Sequence, residues 1–260
     1  GRGVASGFWF NAGGESCAQV NVTEDGNVVV TTGHPDIGGS RASIANITAE
    51  LLGIDVSKVS VLIGDTASIG FSNLTGGSRV LFASAMVVTE STKQVVDILK
   101  KRAAKIWEID EDAVNWENGE ARPAGDNAGK FKPLSLAQIA DKATPTGGPI
   151  GAGHQVNTVG AEGGFATHIC DVEVDIELGI ARIIKYTAVQ DVGKAIHPAY
   201  VEGQLQGGVA QGIGWALNEE YIYNDKGQLD NPGFLDYRIP VCSDLPMIDT
   251  VLVEVPNPKH

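Results

Sequence analysis

Apolar and polar positions alternate along Gln19–Gly33: Val20 and Val22 share a side, Asp25-Gly26 supplies a turn, and Val28 and Val30 alternate back. That pattern predicts a β-hairpin. The next segment, "GHPDIGGS" (Gly33–Ser40), is small and flexible, and behind it Ile44, Ile47, Leu51 and Leu52 take helical spacing to about Leu52. Val59, Val61 and Ile63 read as a strand. A glycine- and serine-rich loop, "SIGFSNLTGGSR", then leads into a long helix with Val88, Val95, Leu99 and Ile106 on one side and Lys93, Lys100, Lys101 and Lys105 mostly elsewhere. Trp107–Gly125 is polar and turn-rich and reads as a surface hairpin. "KPLSLAQIADKA" reads as a short helix with Ser135 as its cap. Two strands, "HICDVEVDI" and "IARIIKYTAVQDV", are joined at Glu177-Leu178-Gly179. Val201, Leu205, Val209, Ile213 and Leu217 recur at every fourth position and predict a last helix.

This order of elements predicts an α+β fold: two lobes of mixed β-sheet with packed helices. The loop-like run Thr144–Asn157 is the expected internal boundary, with one lobe over 1–145, the other over 150–260 and a ligand groove between them.

Composition changes the picture in one respect. Of 260 residues, 33 are glycine, without a repeat period and with doublets at Gly38-Gly39, Gly76-Gly77, Gly163-Gly164 and Gly207-Gly208. Such doublets point to tight turns or to close approach of backbone to a neighbour or ligand. Two of the doublets lie in loops of one design, each leaving a strand, carrying a hydroxyl residue and entering a helix. Free N–H groups at a helix start, with the helix dipole, suit an anion such as a phosphate. Neither loop matches a known nucleotide motif. The last helix holds Gly203, Gly207, Gly208, Gly212 and Gly214, each costing about 0.5–1 kcal/mol against alanine. Deep burial is the expected reason, and it makes Gln204, Gln206 and Gln211 buried amides that need partners.

Charge removes several classes of function. The formal net charge of -13 argues against nucleic acid and against a basic membrane-binding patch. No apolar run approaches the length of a membrane span, the start has no signal-peptide order, and a cytoplasmic setting is expected. The start without Met is expected of a fragment or processed piece. Cys17, Cys170 and Cys242 have neither disulfide-framework nor iron–sulfur spacing, and "HIC" has no second Cys/His pair to complete a zinc site. No metal-ligating residue is therefore assigned in this chain.

Three longer stretches carry a resemblance: "GDT…TGGSR" (Gly64–Arg79), "AVQDVGKAIHPAYVEGQLQGGVAQGIGWALNEEY" (Ala188–Tyr221) and "NPGFLDYRIPVCSDLPMI" (Asn231–Ile248). Together they resemble the molybdenum hydroxylase family, of xanthine dehydrogenase, aldehyde oxidoreductase and carbon monoxide dehydrogenase type. The match is to the C-terminal half of the molybdopterin-binding large subunit, along essentially the whole chain. The resemblance implies a molybdopterin-binding-domain fold and a molybdenum–molybdopterin cofactor in its cytosine dinucleotide form. It implies that Ile37, Gly38 and Gly39 lie against the pterin, that Thr75, Gly77, Ser78, Arg79, Val80 and Leu81 line the metal and phosphate side, and that Gln204 reaches the cofactor from the glycine-rich helix. Two positions depart from the family: Gly39 stands where a glutamine is usual, and a serine usual near Val80 is missing. The family's glutamate base is expected beyond His260, so no catalytic residue is assigned here. The partners implied are the remaining part of the molybdopterin subunit and iron–sulfur and FAD subunits or domains, in a complex that can include further copies of itself. The implied activity is hydroxylation of a carbon with water-derived oxygen. The competing expectation is a non-catalytic binding or structural domain of the same fold without the cofactor.

Overall fold

A computed structural model describes residues 1–64, 66–159 and 163–257. Its elements run β1 (Arg2–Phe10), β2 (Gly14–Val22), β3 (Val28–Thr32), α1 (Ser40–Leu52), β4 (Val59–Ile63), α2 (Thr66–Ile69), α3 (Val80–Trp107), β5 (Val114–Glu117), β6 (Glu120–Pro123), β7 (Leu134–Ser135), α4 (Leu136–Asp141), α5 (Ala143–Thr146), β8 (Ile150–Thr158), β9 (Gly163–Asp175), β10 (Ile180–Asp191), α6 (Pro198–Leu217) and β11 (Ile248–Val253). The α+β expectation stands, with mixed sheets and packed helices.

The chain divides into two compact units, Phe10–Glu162 and Gly1–Trp9 with Gly163–His260. The boundary differs from the expected one at 145–150 at both ends. Glycine-rich 150–158 looks like a loop, yet Gly151 and Gly153 pair with Asn21 and Gln19 as β8 runs antiparallel along all of β2. At the other end β1 is a sheet neighbour of β9, so the first residues join the second unit.

In the Phe10–Glu162 unit the sheet order is β4-β3-β2-β8, with β3 and β4 parallel and the other pairs antiparallel. The parallel pair needs a crossover, which α1 supplies. Val20, Val28 and Val30 from the sheet, Ile44 and Leu52 from α1, and Val87, Val88, Val95 and Leu99 from α3 are almost fully buried in one core. Ser91 and Thr92 turn their hydroxyls onto the Val87 and Val88 carbonyls, which satisfies two of the buried hydroxyls of α3, while the Ser84 Oγ on the same helix is buried without a partner. The small sheet β5-β6-β7 contains the expected hairpin, and Ser135 caps α4 in a reciprocal capping box with Gln138.

The second unit is a sheet of order β1-β9-β10-β11, β9 antiparallel and β11 parallel to β10, with α6 packed on β10 and β11. Its buried core is small: Ala188, Val209, Ile213 and Ile248. Here the structure corrects an expectation. Of α6 only Val209, Ile213 and Gly214 are buried. A Cβ added at Gly203, Gly207, Gly208 or Gly212 would meet nothing within 4 Å. Gln204 and Gln211 are exposed, and Gln206 is half-buried, donating to the Ile248 carbonyl at 3.3 Å. The helix rests on its sheet along one narrow edge: packing accounts for Gly214, where a Cβ would come within 2.7 Å of the Pro240 ring, but not for Gly203, Gly207, Gly208 or Gly212 within the described residues.

Candidate functional site

The loop after β3 and the loop before α3 come together on a single hydroxyl. β2 alternates, so Ser16, Ala18 and Val20 all face inward and are buried. A hydroxyl among those apolar neighbours needs partners. Ser16 Oγ lies 2.9 Å from His34 Nε2 and accepts from Arg79 Nη2 at 3.0 Å. His34 belongs to the first loop and Arg79 closes the second.

Arg79 is 2 % exposed, and its guanidinium is fully spent inside the protein. Nε donates to the Gly13 carbonyl at 2.7 Å, Nη1 to the Asn73 and Leu74 carbonyls at 3.0 and 3.2 Å, and Nη2 also to the Glu15 carbonyl at 2.8 Å. Those bonds and the one to Ser16 use all of its N–H groups. Burial pulls the Arg79 pKa down, with the Glu15 charge opposing. Burial, reinforced by the Arg79 charge, also pulls His34 down to about 4. While accepting from Arg79, the Ser16 hydroxyl can donate to His34 Nε2, and in that arrangement the ring proton sits on Nδ1.

The two helix starts differ. At α1, Gly38 and Gly39 take left-handed φ values of 63° and 79°, and Gly39 offers no side-chain cap. The Asp36 carboxylate already sits there, accepting from the Arg41 N–H at 3.0 Å. At α3, Ser78 is left-handed at φ 56° and Gly77 at φ 63°, the Arg79 side chain does not cap the helix, and its first turn holds no acid. Thr75 and Ser78 are exposed there; Val80 is buried and Leu81 half-buried. Gly77 is required by the fold itself, because a Cβ would come within 2.8 Å of the Ala12 methyl while the Gly77 carbonyl accepts from the Ala12 N–H. Among the described residues, the first turn of α3 thus carries no acid, whereas the α1 start carries Asp36.

Of the residues singled out from sequence, Ile37–Gly39 and Thr75–Leu81 lie in the two loops that share Ser16. Gln204 lies on α6 in the other compact unit, and Asp65, within the Gly64–Arg79 stretch, is outside the described residues. Ser16 and His34 were not singled out. The available signals were a hydroxyl at an inward position of a period-two strand and a histidine next to the first loop. Among the described residues no group of three or more His, Cys, Asp or Glu could hold a metal ion, and no helix is long and apolar enough to cross a membrane.

Comparison with known proteins matches residues 1–246 to the molybdopterin cofactor-binding domain. The chain is 29% identical over 252 residues to the nicotine 6-hydroxylase large subunit of Paenarthrobacter nicotinovorans, covering 92% of this chain and 30% of that one. It is 26% identical over 250 residues to the carbon monoxide dehydrogenase large chain of Hydrogenophaga pseudoflava, covering 95% of this chain and 31% of that one. Quinoline 2-oxidoreductase from Pseudomonas putida 86 superposes with a TM-score of 0.87 at 28% identity, over 99% of this chain and 35% of that one. The chain thus spans about a third of the length of the relatives it matches.

Proposed function

The chain belongs to the molybdopterin cofactor-binding domain family of molybdenum hydroxylase large subunits, and on that premise we propose that it wraps one side of a molybdenum–molybdopterin cofactor in a carbon-hydroxylating oxidoreductase. The substrate class is an aldehyde, an N-heterocycle or a similar compound. Electrons leave to iron–sulfur and FAD partners, and the cofactor is the cytosine dinucleotide form.

The two loops suit the two ends of such a group. The Gly38–Gly39 backbone carries no side chain to hinder a flat ring, and Asp36 already satisfies part of the α1 start. That loop therefore suits the neutral, hydrogen-bonding pterin better than a second negative charge. The α3 start has no acid in its first turn, and the Thr75 and Ser78 hydroxyls lie beside it. It suits the phosphates. In this reading Gly77, Arg79, Val80 and Leu81 contribute backbone, and Ile37, 55% exposed, covers an apolar edge of the ring. The Gln204 amide, exposed on α6, supplies a further hydrogen bond to the cofactor. Bound there, the cofactor supplies redox chemistry and water-derived oxygen, and the protein supplies position and exclusion of solvent.

The observation that carries this reading is that both glycine loops rest on Ser16 within a fold matched to that domain. Molybdenum and pterin content of the purified native complex tests it. Stoichiometric amounts of both are expected; a correctly assembled complex without either supports a non-catalytic domain instead.

A further inference from the structure

A buried arginine one residue away from a proposed phosphate position invites the reading that it binds the phosphate. The geometry excludes this, since every N–H of Arg79 already has an acceptor. Its acceptors come from two places. Gly13, Glu15 and Ser16 belong to the start of β2 and the residue before it, and Asn73 and Leu74 belong to the second loop itself. The guanidinium thus ties the loop 73–79 to the edge of the sheet. His34 ties the first loop to the same strand through Ser16, three residues before Ile37.

We propose that Ser16, His34 and Arg79 are positioning residues that make the two loops one mechanical unit. The Ser16 hydroxyl is the joint: it accepts from Arg79 and gives its proton to His34. If Arg79 withdraws, Ser16 loses the donor that fixes the direction of its proton, and His34 loses its acceptor geometry. If His34 stops accepting, the Ser16 proton has no partner and Arg79 faces a reoriented oxygen. A change in either loop is therefore felt in the other, although His34 and Arg79 are 45 positions apart in sequence and share only that oxygen. The role toward a cofactor rests on the reading above; the coupling between the loops does not.

Hydrogen–deuterium exchange on the complete large subunit in its complex tests the coupling, read separately on peptides covering 33–40 and 73–81. Arg79→Met and Ser16→Ala should raise exchange in both loops by about tenfold or more. His34→Leu should do so in 73–81 as well as in 33–40. His34→Gln should stay close to wild type, because its amide oxygen can still accept the Ser16 proton. Arg79→Lys, which supplies fewer donors, replaces the methionine variant if that one does not fold. Exchange that rises only in the loop bearing the substitution, or a His34→Gln protein as loose as His34→Leu, overturns the coupling. Cofactor release measured on the same variants tests the positioning role, and equal release rates in wild type and in variants with coupled loosening overturn it. A wild-type complex that holds no molybdopterin overturns the functional reading while leaving the exchange result to judge the coupling alone.

Discussion

A buried guanidinium is costly unless each donor is answered, and Arg79 meets that condition with backbone carbonyls and one hydroxyl. Arg79→Met removes the donors and leaves buried acceptors unpaired. It should cost about 3–5 kcal/mol of stability, read from the shift in a urea unfolding midpoint. His34 gives a signature in pH. Its folded pKa of about 4 lies below the 6.5 of a free histidine. Below pH 6.5 the unfolded chain takes up a proton that the folded site refuses. Stability is therefore fully present above 6.5, falls as the pH drops toward 4, and levels off below it. The loss amounts to about 3 kcal/mol. Arg79 is the charge that faces His34, and Glu15, bonded through Asn73, partly offsets the positive field at Arg79. His34→Gln should flatten that segment of the stability curve; an unchanged slope contradicts the assignment. None of this was legible from spacing. Sequence marks Gly38, Gly39 and Gly77 because glycine is unusual, whereas Ser16 and His34 are ordinary residues whose role depends on a fold that brings residues 16, 34 and 79 together.

At the scale of elements, periodicity carried most of the reading. The β2–β3 hairpin, α1, β4, α3 and the capped α4 follow from alternation, helical spacing and cap chemistry. β8 did not, because its glycines look like a loop until β2 is present to pair with them. The apolar positions of α6 mark the helix, but burial inside this chain accounts for Gly214 alone among its glycines and not for Gly203, Gly207, Gly208 or Gly212. Their environment gives a different prediction. With nothing within 4 Å of an added Cβ, Gly207→Ala should stabilise the chain expressed alone by about 0.5–1 kcal/mol, the intrinsic helix gain. In the complete subunit Gly207→Leu should instead lower molybdenum content, because the proposed occupant of that face needs close approach to the backbone. A melting comparison of the two forms separates these effects.

For the whole molecule, the apolar surface is the dominant fact. Phe234 is 104% exposed, Leu235 93%, Ile176 90% and Met247 85%, all in the unit with the small core. Isolated apolar side chains on a surface are ordinary, but so many large ones in one unit point to cover by another surface. The chain spans about a third of its relatives, and the remaining part of the subunit is the proposed cover. Residues 1–260 expressed alone should therefore self-associate in sedimentation and turn over no aldehyde or heterocycle with an artificial electron acceptor. Restoring the rest of the subunit should suppress the association. The most direct test of the central claim is an anomalous difference map at the molybdenum edge from crystals of the complete subunit. The account predicts a metal peak whose attached pterin lies against the Gly38–Gly39 backbone, with its phosphates at the Thr75–Leu81 helix start and the Gln204 amide in hydrogen-bond reach. A molybdopterin seated away from both glycine loops would contradict it.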